Sequence, residues 1–438
     1  MRPHPVFLLA LMAAPGPGHA DPADVKWAER IEVAAGGAYR GPWRMNASEF
    51  HFVDDPTVAI NDAGVAGVLF ADHARRDIFF QAYGPDGKER FETPVNVSRS
   101  PHIFSWLPRL VMSSGDPAHV HALWQEIVFS GGTHGGEIFY ARSIDGGKTF
   151  GEPVNLSNSI AGDGKGRLTR RYWSNGSLDL AADPVGRLYA AWTEFEGALW
   201  FRRSTDGGTR FSEALRIAGE DNAGPARGPA LAAAADNTVY IAWTVGEDRS
   251  ADIHFARSDD GGRTFGSPHV VFDSSGHADA PKIAVDSEGT VHLVYAESPA
   301  GPGQRYHLRY TRSKDGGRNF EQPREIAASP AQAYESMNFP SLGLDAGDTL
   351  YLLWELFPDW KYYPRGLGFT WSDNGGRSFA PPSVVPGSVD TATGFNGSQQ
   401  GLLMRKLAVN GKGAIAAVNS TFKAGESSHI WLFRGTRN

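Results

Sequence analysis

The chain has 438 residues, 49 acidic against 42 basic side chains, a formal net charge of −7 and no cysteine. The acidic balance, with no basic run anywhere, argues against nucleic acid as a partner. The lack of Cys excludes disulfides, thiolate metal sites, a cysteine nucleophile and a lipoprotein-type anchor.

Residues 1–20 open with Arg2, continue through an apolar run from Val6 to Ala14, and end in PGPGHA at Ala20. This is the layout of a signal peptide, with a short basic start, an apolar stretch too short to span a bilayer and a small-residue cleavage site. It predicts export to the periplasm or medium and a mature domain of residues 21–438. No later stretch is long and apolar enough for a membrane-spanning helix.

The next units follow one grammar. Each begins with a strand marked by proline: DDPTVAI at Asp54, WLPRLVM at Trp106, RGPALAA at Arg227, DAPKIAV at Asp279 and NFPSLGL at Asn338. A further unit begins near Trp173, without the proline. An aromatic-rich second strand follows, as in HALW to Trp124, YIAW to Trp243 and YLLW to Trp354, then a third such as IHFARS, then a turn, then a fourth. Short runs rich in Val, Ile, Tyr and Trp between glycine turns indicate an all-β protein.

The turn is the strongest signal. RSIDGGKTF ends at Phe150 and returns as RSTDGGTRF, RSDDGGRTF, RSKDGGRNF and WSDNGGRSF, ending at Phe211, Phe265, Phe320 and Phe379, at intervals of about 58 residues. A degenerate YGPDGKERF ends at Phe91. The Asp is suited to accept backbone N–H groups, the glycine pair to adopt φ > 0, and the Phe to bury its ring. Repeated four-stranded units cannot each bury both faces alone, so they close radially into a β-propeller. Six units carry the turn. After Gly394 come three more strands, LLMRKLAVN, AIAAVNS and HIWLFRG, and RIEVAAG near Ile31 can supply their fourth. That seam predicts seven blades, closed by the N-terminal strand, with six as the alternative.

The repeated turn resembles the Asp box (BNR repeat) of the sialidase superfamily. The resemblance implies that the boxes brace hairpins on the face opposite the active site. The candidate site is then the face where first strands begin and second strands end. There stand Asp54, Trp106, Trp173, Arg227, Asp279 and Asn338, facing Glu126, Glu194, Glu297 and Glu355. The insert FPDWKYYPR, with Trp360, adds flat rings on which sugars stack.

Two departures from sialidases stand out. Those enzymes open with Phe-Arg-Ile-Pro, whose Arg clamps the substrate carboxylate; here Phe52-Val53-Asp54-Asp55-Pro56 puts an acid at the clamp. The position similar to the nucleophilic Tyr is Phe339, while Tyr334 and Glu335 lie just upstream. GVLFADHARRD places Asp72 near the loop that carries the family's acid/base Asp. Two readings stay open. One is a glycoside hydrolase of sialidase type with Asp72 and Glu194 as acid and base, Tyr334 with Glu335 as a nucleophile pair and Arg227 orienting an anionic group. The other is a non-catalytic recognition or assembly scaffold. No cofactor is expected, and the scattered His51, His73, His102 and His277 lack metal-site spacing.

Overall fold

The structure, a computed structural model, describes residues 25–115, 117–128, 136–158, 167–168, 173–174, 178–194, 197–219, 225–246, 250–326, 334–397 and 405–437. The expected leader at residues 1–20 lies outside them. Seven four-stranded antiparallel blades make up the molecule. Blade 1 begins with Val53–Ile60, blade 2 with Ser105–Met112, blade 3 with Leu178–Ala182 and blade 4 with Ala226–Ala233. Blade 5 begins with His277–Val285 and blade 6 with Ser336–Leu344. Blade 3 starts later than the sequence suggests, because Trp173–Ser174 pairs with Arg167–Leu168 in a separate two-stranded piece.

Blade 7 is composite. Leu407–Val409, Ala414–Lys423 and Ser427–Arg437 come from the C-terminal region, and Ile31–Gly36 pairs with Ser427–Arg437 as the outer strand. The ring therefore closes by hydrogen bonds between opposite ends of the chain, which removes an otherwise open sheet edge. Val25–Trp27 extends the seam on the same strand. Among the described residues there is no α-helix, and no helix is long and apolar enough to cross a membrane.

Second strands are buried on both faces because each blade lies between two others, so they read as continuous aromatic and aliphatic runs and do not alternate. Trp124, Trp192, Trp243, Tyr295 and Trp354 lie in the second half of these strands and are at most 2% exposed. At about 25 cal/mol per Å² and roughly 150–250 Å² per ring, each contributes at most about 4–6 kcal/mol.

The recurring turn joins blades as well as bracing its own hairpin. In blade 4, Ser258 Oγ accepts the Gly262 N–H at 2.8 Å and donates to Asp260 Oδ1 at 2.8 Å, while that carboxylate accepts the Thr264 N–H at 2.9 Å. The terminal Phe then packs edge-on against the third-strand ring of the preceding blade. Phe150 meets Phe80, Phe211 meets Tyr140, Phe265 meets Phe201, Phe320 meets Phe255 and Phe379 meets Tyr310, all with ring centroids between 4.9 and 5.7 Å apart. The Arg before the turn serine completes the link. Arg142, Arg203 and Arg257 donate to the carbonyls of Gly207, Gly261 and Gly316 in the next blade's turn, at 2.9, 3.4 and 2.9 Å. Arg312 does the same to Gly375. The repeated Arg-Ser pair in the sequence is thus half hairpin brace and half contact between blades.

Candidate functional site

The proline in five first strands marks a β-bulge. Asp55, Leu107, Gly228, Ala280 and Phe339 each precede that proline with φ between 52 and 58°, and the pairing register shifts at each of these points. Proline has no N–H to give a ladder, so it sits where the ladder is already interrupted. A non-glycine residue at such φ costs about 1–2 kcal/mol. The preceding side chain offsets part of this by accepting the strained N–H. Asn338 Oδ1 takes that of Phe339 at 2.7 Å, and Asp279 Oδ1 takes that of Ala280 at 2.8 Å. Asp54, Trp106, Arg227, Asp279 and Asn338 therefore occupy one structural position in five blades, immediately before the bulge.

Part of this ring opens into a cavity. Between blades 5 and 6, on the face opposite the recurring turns, lies a cleft of about 280 Å³ lined by Asp279, Tyr306, Asn338, Phe339, Phe357 and Trp360, with Gln304 and Ser336 adding polar groups. Phe357 ends the second strand of blade 6, and the insert that follows it raises Trp360, Tyr362 and Tyr363 as one wall.

Asp279 is held by its neighbours. Arg227 Nε lies 3.4 Å from Oδ1, Thr244 Oγ1 donates to the same oxygen at 3.1 Å, and Arg227 Nη2 stands 2.9 Å from His277 Nε2. Burial pushes the Asp279 carboxyl up, but the Arg227 charge, His277 and the Ala280 N–H outweigh it and hold the group well below the usual carboxylate range. It is an anion and an acceptor at any physiological pH.

The remaining residues singled out in the sequence lie elsewhere. Asp54 is buried and accepts the Ser420 hydroxyl of blade 7 at 2.6 Å. Trp106 is buried beneath Trp43, the rings 5.3 Å apart and 9° from parallel. Trp173 belongs to the short two-stranded piece, and its side chain is outside the described set. Asp72 accepts the Ala74 and Arg75 N–H groups at 3.0 and 3.1 Å, capping the turn that follows its strand. The Glu194 carbonyl accepts the Gly197 N–H at 2.8 Å. Tyr334 packs against the apolar cluster shared by blades 5 and 6; burial pushes its phenol up, against the pull of the Arg365 charge. Glu335 pairs with Arg305 at 3.0 Å.

Glu126, Glu297 and Glu355 are tied to their surroundings, by Ser100 and the Trp124 indole, by Ser274 and Arg309, and by Asn396 and Lys406. At the hub Asp179 accepts from Arg405 Nη2 at 2.7 Å and from the Leu231 N–H at 2.8 Å, with Arg109 at 4.0 Å. Arg227 and Arg405 thus answer to different carboxylates.

The cleft brings together Asp279, Asn338 and Trp360, with Arg227 behind Asp279. The aromatic insert that begins at Phe357 was marked by its sequence, whereas Tyr306, Gln304 and Ser336 were not. Gln304 and Tyr306 lie in the loop before a third strand, away from first-strand starts and second-strand ends, and Ser336 begins its strand two residues before Asn338 with no local pattern to mark it.

No protein-family profile and no curated protein matches the sequence. Solved structures do match. A polysaccharide lyase, an ulvan lyase bound to -[GlcA(1-4)Rha3S]-, superposes with a TM-score of 0.56 at 11% identity over 92% of this chain and 95% of that one. The polysaccharide lyase Uly1 gives 0.56 at 12% identity, covering 94% and 100%. A protein of unknown function from Dyadobacter fermentans gives 0.52 at 14%, covering 93% and 99%. At such identities the likeness bears on the propeller fold.

Proposed function

We propose that the protein is an exported propeller of the sialidase superfamily that binds a saccharide in the cleft between blades 5 and 6. The observation that carries this reading is the lining itself. Flat rings of Trp360, Tyr306, Phe339 and Phe357 stand around a fixed carboxylate and amide, Asp279 and Asn338. Sugars present apolar C–H faces to aromatic rings and hydroxyls to such acceptors. The fold shared with polysaccharide lyases agrees with a glycan ligand without naming it.

Binding is favoured over hydrolysis because of the carboxylates. Among the described residues lining the cleft Asp279 is the one acid, and its lowered pKa unfits it to donate a proton, whereas the two-carboxylate mechanism needs a protonated acid as well as a base or nucleophile. Purified protein applied to a glycan array, beside a panel of fluorogenic glycosides including a sialoside, tests the reading. Array binding that is lost in Trp360→Ala is the expected result. Binding that survives Trp360→Ala, or silence on the whole array, would refute it, and turnover lost in Asp72→Asn or Tyr334→Phe would restore the hydrolase. N-terminal sequencing of the exported protein, with cleavage after Ala20 expected, tests the leader.

A further inference from the structure

The cleft continues past its own wall. Tyr363 lines it and also meets Phe395, ring centroids 6.0 Å apart and 48° between planes, and the Arg365 guanidinium lies 4.4 Å over the Phe395 ring. Tyr363 and Phe395 remain 39% and 38% exposed, and Val389 and Tyr362 beside them 36% and 65%.

This ledge is built rigidly. Buried Asn396, the neighbour of Phe395, donates its backbone N–H to Pro364 O at 2.9 Å, while its side-chain amide accepts from Gly366 N and donates to Gly366 O, both at 3.0 Å. The same amide also reaches Glu355. A doubly bonded amide therefore locks the blade 7 edge to the root of the insert, so the exposed rings are held in place.

The charge on the ledge is unanswered. Among the described residues Arg365 and Lys361 form no ion pair, their contacts being with the Phe395 and Trp360 rings, and Arg365 Nε is buried with no hydrogen-bond partner. Arg365 is only partly buried, and with Nε inside its two Nη groups remain to meet a planar or tetrahedral oxyanion.

We infer that Tyr363, Phe395 and Arg365 form a second saccharide subsite, so that the ligand is an oligosaccharide carrying a carboxylate or sulfate on the ring next to the one held at Trp360. This rests on the saccharide reading above and goes beyond it in chain length and charge. The first ring stacks in the cleft, the glycosidic bond passes Tyr363, and the second ring lies on Phe395 with its acidic group at Arg365, Lys361 adding to the field.

The test uses the full-length mature protein and tryptophan fluorescence titration with mono-, di- and tetrasaccharides of galacturonate and of chondroitin sulfate, their carboxyl-reduced or desulfated forms, and neutral cello- and galacto-oligosaccharides. Acidic disaccharides should bind roughly tenfold tighter than the matching monosaccharides and than their neutralised forms. Arg365→Ala and Phe395→Ala should each erase most of that gain while leaving monosaccharide affinity unchanged, and added salt should weaken only the acidic series. Neutral and acidic chains binding equally, or a gain that persists in both variants, would overturn the second subsite while leaving the saccharide reading intact. Failure of every saccharide in the panel to bind would overturn both.

Discussion

Alanine at Gly317 should be among the most damaging single-methyl changes in the molecule, and the structure says by how much. Gly317 has φ of +87°, where an L side chain costs about 1–2 kcal/mol. Its added Cβ would stand 2.3 Å from the Phe255 ring of the preceding blade, backed by a second ring atom at 2.4 Å. Phe255 is fully buried, and forcing a methyl into such packing costs a further ~1–3 kcal/mol. Moving the ring away loses its 5.2 Å edge contact with Phe320, worth roughly 0.5–1.5 kcal/mol. Gly317→Ala is therefore expected to destabilise by roughly 3 to 6 kcal/mol. Gly289 supplies the control, because its φ is +80° but nothing lies within 4 Å of its Cβ direction, so Gly289→Ala should lose only the backbone component of about 1–2 kcal/mol. Equilibrium urea unfolding followed by tryptophan fluorescence measures both. Equal midpoint shifts for the two variants would refute the claim that the second glycine of each turn is there to admit the neighbouring blade's ring.

Removing residues through Gly36 opens the seam and exposes the Ser427–Arg437 edge, so the truncated protein should melt earlier and associate on size exclusion; a monomer with an unchanged melting temperature would contradict ring closure. Glu355 and Lys406 are a buried pair, so Glu355→Ala should cost about 3–5 kcal/mol in urea unfolding and Glu355→Leu with Lys406→Met should recover most of it. A single variant as stable as the double would argue against the pair. Lys282 is brought down to about 7, by burial first and by Arg109 and Arg405, against the opposing pull of Asp179 and Asp279. The unfolded chain keeps that proton up to about pH 10.4, so stability should rise with pH from about 7 towards 10, and Lys282→Met should flatten the rise. A slope unchanged in the variant would assign it to other groups.

How far the sequence reaches is clearest in the recurring turn. Serine, aspartate, two glycines and phenylalanine at fixed offsets announce a hairpin brace because every bond within it is local. Their repetition implies a closed ring, and even the pairing of Ile31–Gly36 with the C-terminal blade follows from counting strands. The partner of each phenylalanine ring was not readable, since Phe320 meets Phe255 across a blade boundary that no local pattern marks. The first-strand prolines were visible, but not the left-handed residue before each one, nor the fact that five equivalent positions meet different fates.

At those positions composition was a poor guide. Asp54 and Asp279 precede the same bulge in different blades, yet one is buried against Ser420 while the other faces an open cleft. Residue type at a strand end fixes what a side chain can do; whether a neighbouring blade, the Trp43 ring or the aromatic insert covers it depends on contacts between segments far apart in sequence. Local hydrogen bonding and periodicity wrote the wheel into the chain, and tertiary packing left Asp279, Asn338 and the aromatic rings open to the gap between blades 5 and 6.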